Sequence, residues 1–400
     1  MAPNILYLHS HDTGRYVQPY GHAIVTPNIQ RLADAGVLYR QAFSAAPVCS
    51  PSRAALLTGT FGMQGLAHRG WRLPDPSRHI VHPLREAGYT TAMIGEQHVM
   101  PDAREIGYDA ILVGPVAETA ADFLRSAREP FFLSVGFTET HRPFPTGASE
   151  ALPPAHLPDV PEIRRDMAGF VASARALDDA VGTVLEAVPD NTLVILTTDH
   201  GVAFPGAKAT LTDRGIGVML IIRSPGFERR VADELVSQID LYPTICELAG
   251  IERPAWVRGR SLLDAGRNDA VFAEMTYHAA YEPQRAVRTT RYKYIRRYAD
   301  GLVLANVDDS PTKDYLLAHG LERQRPAREQ LYDLVLDSGE AANLADDPAH
   351  APALVELRAR LDAWMEELDD PLRHGPVEPP AGARLNLPTQ RSAEEPTVVA

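Results

Sequence analysis

The stretch Cys49-Ser50-Pro51-Ser52-Arg53-Ala54-Ala55-Leu56-Leu57-Thr58-Gly59 constrains the chain more than any other. Ser50 is a good N-cap, and Pro51 suits the first position of a helix, where its missing N–H costs nothing. The spacing therefore predicts a helix start with Cys49 just ahead of it, in the positive end of its dipole. Arg53 falls about one turn further on, so a fixed cation lies near the sulfur, which suits an anionic substrate. A buried cysteine on a helical shoulder is the plainer reading of a lone Cys. The remaining segments decide between them.

The chain has 400 residues, 45% of them hydrophobic, enough for one large α/β domain with a smaller companion. Its net charge of −13 excludes a general nucleic-acid binder, and an anionic substrate needs a local basic site against that field. Two cysteines, Cys49 and Cys246, make no disulfide framework, and Cys246 sits in a helical segment as core filler. The N-terminus shows no basic leader, and no apolar run reaches the roughly 20 residues that span a bilayer. A cytoplasmic protein with no membrane partner is expected.

Apolar runs over 4–9, 37–43, 89–94, 130–137, 191–198 and 218–223 read as buried strands, with helices over 26–36 and 163–188. Four of these strands release polar clusters: His11-Asp12, Glu96-Gln97-His98, Thr138-Glu139-Thr140-His141 and Asp199-His200. In α/β sheets ligands gather at the carboxyl ends of strands, so these clusters are expected at one site.

Cys-x-Pro-x-Arg followed by Thr-Gly, matched at Cys49, Pro51, Arg53, Thr58 and Gly59, resembles the signature of the type I sulfatases of the alkaline phosphatase superfamily. In that family a maturation enzyme oxidises the Cys to formylglycine, whose hydrated aldehyde is the nucleophile; the resemblance implies this for Cys49. His11 and Asp12 stand where the family's first strand ends in a metal-binding Asp-Asp pair, the first Asp being His here. Glu96-Gln97-His98 stands in the family's Gly-Lys-x-His, with Glu96 replacing a sulfate-binding lysine. Glu96 either turns away, binds a cationic group on the substrate, or joins the metal shell beside His11. His141 resembles the His of the family's His-x-Pro loop, Asp199-His200 takes the place of Asp-Asn, and Lys208 takes that of a basic residue contacting sulfate.

The resemblance implies hydrolysis of an O- or N-sulfate. The diol at position 49 attacks sulfur, His141 or Lys208 protonates the leaving group, His98 takes the proton that lets the aldehyde re-form, and Arg53 orients the nucleophile. One divalent metal is implied on His11, Asp12, Cys49, Asp199 and His200. The family default is Ca, while two histidines suit Mn, Zn or Fe. Asp199-His200 and Glu96 also fit a phosphonate monoester or phosphodiester hydrolase, and the lost lysine fits a non-catalytic binder of sulfated ligands. Expected partners are a small anionic substrate, such as a sulfated sugar or aryl sulfate, and the formylglycine-generating enzyme. Self-association is left open.

From about residue 271 closely spaced strands predict a small antiparallel sheet. Tyr277, His278 and Arg285 lie in a segment that resembles the heparan N-sulfatase (sulfamidase) branch, implying a glycan cleft; solvated residues beside a sheet are the alternative. The expected architecture is α/β: a large, mostly parallel, alkaline phosphatase-like sheet flanked by helices over 1–265, an antiparallel-sheet subdomain with a helix over 266–370, and an extended or disordered tail over 371–400.

Overall fold

The computed structural model describes residues 2–147, 149–225 and 227–400. Eight strands form the main sheet: β1 (Asn4–Ser10), β2 (Val37–Tyr39), β3 (Thr90–Gly95), β4 (Ala110–Leu112), β5 (Phe131–Gly136), β6 (Thr192–Thr198), β7 (Leu220–Arg223) and β8 (Arg230–Ala232). Their spatial order is β4-β3-β5-β1-β6-β7-β2-β8. Every pair is parallel except the two made by β7, which runs against both β6 and β2.

Strand periodicity divides the core in two. Side chains of successive residues point to opposite faces. Ile5 and Tyr7 of β1, with Leu193 and Ile195 of β6, join one cluster with Leu56 and Tyr242. Leu6 and Leu8, with Val194 and Leu196, join the other with Leu32, Leu177 and Val181. Helices α2 (Cys49–Thr58) and α5 (Leu241–Ala249) therefore cover one face, and α1 (Pro27–Ala35), α3 (Val116–Ser126) and α4 (Pro161–Leu185) the other. Burial on both faces is why these strands read as continuous apolar runs.

Helix α1 is capped by a distant side chain and not by its own Thr26. Thr26 makes no side-chain cap; its Oγ1 accepts from the Gln18 N–H (2.9 Å). The Asn28 and Ile29 amides instead donate to the Asp178 carboxylate of α4 at 3.1 and 2.8 Å. That contact satisfies two orphan donors and ties the helices together.

A four-stranded antiparallel sheet follows, β9 (Ala270–Tyr277), β10 (Tyr281–Thr289), β11 (Tyr292–Arg297) and β12 (Glu329–Asp333), in that order. Helix α6 (Ala351–Glu367) packs on it through Leu354, Leu357, Leu361 and Trp364. The last thirty residues run as an extended strap with a short pairing of Arg384–Leu385 against Val398–Val399. Within the strap, Asn386 accepts from Arg69 and its N–H donates to the Ala279 carbonyl (2.9 Å). Among the described residues no helix is long and apolar enough to cross a membrane.

Candidate active site

Register alone brings the polar clusters together. Gly136 of β5 pairs with His9 of β1 and with Gly95 of β3, and Ser10 pairs with Thr198 of β6. Four neighbouring strands thus end at one level, and each releases its cluster over the same edge. The chain crosses closely there: a Cβ on Gly136 would lie 2.0 Å from the Glu96 carbonyl oxygen, so only glycine fits. Two non-glycine residues at these strand ends, Asp12 (φ 56°) and His98 (φ 53°), have left-handed backbones, a conformation that collects where function demands it.

Helix α2 delivers Cys49 to the same place, with one correction. The helix begins at Cys49 itself, with Val48 as its N-cap. Ser50 does not cap; its hydroxyl accepts from the Ala67 N–H (3.0 Å). The thiol is buried in the first turn, 3.4 Å from His200 Nε2 and 3.9 Å from both His11 Nδ1 and Asp12 Oδ1. At the other end Gly59 closes the helix at φ 70°, with its N–H on the Ala55 carbonyl (2.8 Å).

The centre is densely paired. His200 Nε2 is 3.0 Å from Asp12 Oδ1, and His11 Nδ1 is 3.1 Å from the same oxygen and 3.4 Å from Asp199 Oδ2. Lys208 donates to Asp12 Oδ2 (2.8 Å) and also reaches Asp308 (3.1 Å). Beneath them Arg53 donates to Asp199 Oδ2 and to the Ser10 carbonyl, each at 3.0 Å, and to His9 Nδ1. His98 Nδ1 meets His11 Nε2 at 3.1 Å, and Glu96 lies 3.6 Å from the far nitrogen of His98. His141 is half-exposed, stacked edge-on against His11 at 4.5 Å, with Nε2 4.0 Å from Asp12. A cleft of about 680 Å³, lined by His11, Glu96, His98, Glu139 and His141, opens onto this group.

Burial and charge compete at every member. Burial opposes charging His11, yet Cys49 and Asp199 lift it to about 10. Burial likewise opposes charge on His200, and Asp199 and Asp12 override it upward. The Asp12 carboxyl is held well below the usual range against burial by Lys208, His200 and His11. Cys49 is pulled well below an ordinary thiol by Lys208 and His11, again against burial. Two carboxylates and a thiolate thus demand positive charge at one point, and His11, Asp12, Cys49 and Asp199 offer donor atoms within 4.8 Å of one another. The residues fit a divalent metal.

Comparison with known proteins agrees with this geometry. The sulfatase family profile matches residues 3–114 and 112–251, and that of the N-sulphoglucosamine sulphohydrolase C-terminal region matches 207–367. The chain belongs to the sulfatase family. This sulfatase is a sulfuric ester hydrolase with a mixed α/β, alkaline phosphatase-like fold. It is 30% identical to human (Homo sapiens) N-sulphoglucosamine sulphohydrolase, over 92% of this chain and 91% of that protein. It is 29% identical to an ulvan-active sulfatase of Formosa agariphila, over 92% of this chain and 75% of that one. A solved 2-O GAG sulfatase superposes with a TM-score of 0.75 at 24% identity, covering 95% of each chain. A structure in complex with D-glucosamine-2-N,6-O-disulfate gives 0.73 at 18% identity, covering 94% of this chain and all but a hundredth of that one (99%).

The C-terminal candidates divide. His278 is buried on the Lys208 side, and burial together with Lys208 holds it down to about 4. Tyr277 is buried too, packed on Trp71 and Tyr281 with its hydroxyl donating to Val377 O (2.6 Å). Arg285, expected along a cleft, is instead sealed inside the sheet on Asp370 (2.5 and 3.0 Å) and the Met275 carbonyl (2.9 Å). A guanidinium with that many fixed partners is a strut between sheet and strap. Sequence reasoning missed His9, Asp308 and Ser52, whose hydroxyl donates to the Asp199 carbonyl (2.5 Å). His9 ends the first strand and was findable there; Asp308 lies 100 residues beyond Lys208 with no local signature.

Proposed function

We propose that this sulfatase removes a sulfate, as ester or sulfamate, from a sugar, using formylglycine made from Cys49 by a maturation enzyme. The observation that carries this reading is the placement of Cys49 Sγ in the first turn of α2, facing the donors of His11, Asp12 and His200, with Arg53 and Lys208 as the fixed cations around it. The sugar follows from two relatives, one named for N-sulphoglucosamine and one solved with a glucosamine disulfate.

His11, Asp12, Asp199 and His200 would hold the divalent ion, which supplies Lewis-acid polarisation of the sulfate and nucleophile. The two imidazoles favour Mn, Zn or Fe over Ca, which takes six to eight oxygens. Lys208 and His141 border the leaving-group side. His141 Nδ1–H donates to its neighbour's carbonyl (2.5 Å), so its exposed Nε2 is the atom that carries a proton to the departing oxygen or nitrogen. His98, between His11 and Glu96, takes the second hydroxyl proton. Arg53 keeps Asp199 ionised and aimed. Positioned acid–base groups of this kind supply about 10²–10⁴-fold each.

The carboxylate of Glu96 beside His98, with His200 on the metal side, favours a second reading, phosphonate monoester or phosphodiester hydrolysis by the same nucleophile. Co-expression with the maturation enzyme, mass spectrometry of the Cys49 peptide and parallel assays on aryl sulfate and aryl phosphonate separate the two. Aldehyde with faster sulfate turnover supports the first reading. Aldehyde with faster phosphonate turnover supports the second, and a persisting thiol sinks both.

A further inference from the structure

Strand periodicity gives the C-terminal sheet two different faces. Val287 of β10, Tyr294 of β11 and Leu331 of β12 pack beneath α6. Their sequence neighbours Ala286, Ile295 and Tyr332 point the other way and join a cluster with Leu211 of the main domain. Further along that second face the apolar residues give way to Glu282, Gln284 and Arg297, with Gln284 directly opposite Arg297 in register. All three are buried, and they wall a cavity of about 510 Å³ between the sheet and the 205–212 loop. Small-ligand sites occupy roughly 300–1,000 Å³. Leu211, Ile295 and Tyr332 give the same cavity an apolar side.

Hydrogen-bond donors are in surplus there. Glu282 is the only acidic side chain of the lining, and its oxygens already accept from Arg297 (2.8 Å) and from the Asn306 amide (2.9 Å). Gln284 Nε2 and Arg297 Nε are buried without a hydrogen-bond partner, a costly state for a donor. Arg214 and Arg325 also line the cavity, and backbone carbonyls alone hold them: Gly206 (3.3 Å) and Gly339 for the first, Glu322 (3.0 Å) and Gln324 (2.9 Å) for the second. Among the described residues no carboxylate pairs with either guanidinium. Unspent N–H groups and unpaired guanidiniums call for a ligand rich in oxygen acceptors and negatively charged. Lys208 is the wall towards the chemistry. It lines this cavity, while Asp308, 3.1 Å away, lines the separate cleft beside His141. The cavity shares no lining residue with the cleft over His11 and His141.

We propose that this cavity is a second, non-catalytic ligand site, which takes a monosaccharide-sized anion: a sugar bearing a carboxylate or a sulfate. Arg214 and Arg325, the less buried cations, meet the oxyanion. Gln284 and Arg297 donate to ring oxygens, and Ile295 and Tyr332 cover the apolar face of the ring. The occupant lies behind Lys208, away from His141, so it is not the sugar being cleaved. This goes beyond the proposed hydrolysis and does not depend on which ester the mature form cleaves.

Calorimetric titration tests it. The full chain is made in a host without the maturation enzyme, so Cys49 stays a thiol and no probe is turned over. Glucuronate, glucose 6-sulfate and neutral glucose are titrated separately. At least one anion should bind, and more tightly than glucose; which anion binds better tells carboxylate from sulfate. The double variant Arg214→Ala/Arg325→Ala, which alters only the less buried cations, should weaken the anion by about tenfold or more, the usual loss when hydrogen bonds to charged groups are removed. Gln284→Leu should weaken it too, and a crystal soaked in the tighter anion should show it against Gln284 and Arg297. Failure of both anions to bind overturns the proposal. So does glucose binding as well as they do, or an affinity that the double variant leaves unmoved, which would put the anion in the catalytic cleft. Aryl-sulfate turnover by the aldehyde form is a separate measurement, and its failure would leave these affinities as they are.

Discussion

Arg53 and Asp199 form an ion pair at 3.0 Å beneath the candidate metal site, with side chains only 1% and 0% exposed. They come from a helix and a strand end 146 residues apart, and the same guanidinium also holds Ser10 and His9. The pair therefore joins the helix that carries Cys49 to the two central strands. Removing one partner of a buried pair leaves an uncompensated charge. Arg53→Ala should lower the unfolding free energy by about 3–5 kcal/mol in urea titrations. Arg53→Lys keeps the charge but cannot reach three partners in one plane, so it should fold while losing activity. Equal stability of Arg53→Ala and the parent would refute the pair's structural role.

Lys208 stands between Asp12 (2.8 Å) and Asp308 (3.1 Å), and these carboxylates override burial to lift its own pKa. It is therefore a fixed cation beside the candidate metal site. Lys208→Ala should lower kcat by about 10²–10³, the range for losing one preorganised electrostatic contact at a reacting centre. Adding Asp308→Asn should recover part of the stability lost in Lys208→Ala, because the second carboxylate no longer lacks a partner. A double-mutant cycle reads that coupling, and strict additivity would show that the two side chains act independently.

The parts of this arrangement that were legible in the sequence are those encoded over a few residues. Alternate residues of β1, Ile5 and Tyr7 against Leu6 and Leu8, divide between the two cores as strand periodicity dictates. His11, Asp12, Glu96, His98, Asp199 and His200 lie within three residues of a strand end, so locating the strands located them. Long-range pairings carried no such signal. Asp178 caps α1 from 150 residues away, Lys208 finds Asp308 across 100, and Arg285 finds Asp370 across 85. Each partner is an ordinary charged residue in its own segment, and only the folded register makes it specific. The start of α2 misled for a different reason. Ser50 has N-cap chemistry, but the Ala67 amide claims its hydroxyl and the helix gains two earlier residues, Cys49 and Ser50.

Metal removal provides a third test. His11, Asp12, Asp199 and His200 are buried, and their charges converge, so an ion bound there stabilises the native state alone. A ligand at a hundred times its Kd adds about 2.7 kcal/mol. Chelation should therefore abolish turnover and lower the Tm together, and adding back Mn²⁺ or Zn²⁺ should restore both better than Ca²⁺. His200→Asn swaps an imidazole for an amide oxygen and should shift that order toward Ca²⁺. Better restoration of the parent by Ca²⁺ would show that oxygen donors dominate the site.

Part of the acid sensitivity should come from a histidine outside the candidate site, His79. His79 is wholly buried next to the short helix Val81–Glu86; its Nδ1 accepts from the Val81 N–H (3.2 Å) and its Nε2 has no hydrogen-bond partner. Burial, with His82 adding a smaller effect, depresses its pKa from 6.5 to about 3. The unfolded chain thus binds a proton that the folded chain refuses between about pH 6.5 and 3. Stability from this group is complete above 6.5 and falls as pH drops through that window. At pH 5 the loss is about 2 kcal/mol, from 1.36 kcal/mol per pKa unit over the interval below 6.5. His79→Asn keeps an acceptor for the Val81 amide and cannot take up a proton. The gap in unfolding free energy between parent and variant should therefore move by about that amount, in favour of the variant, between pH 7 and pH 5. Parallel pH profiles for the two would show that His79 is protonated at no cost in the folded chain, against its burial.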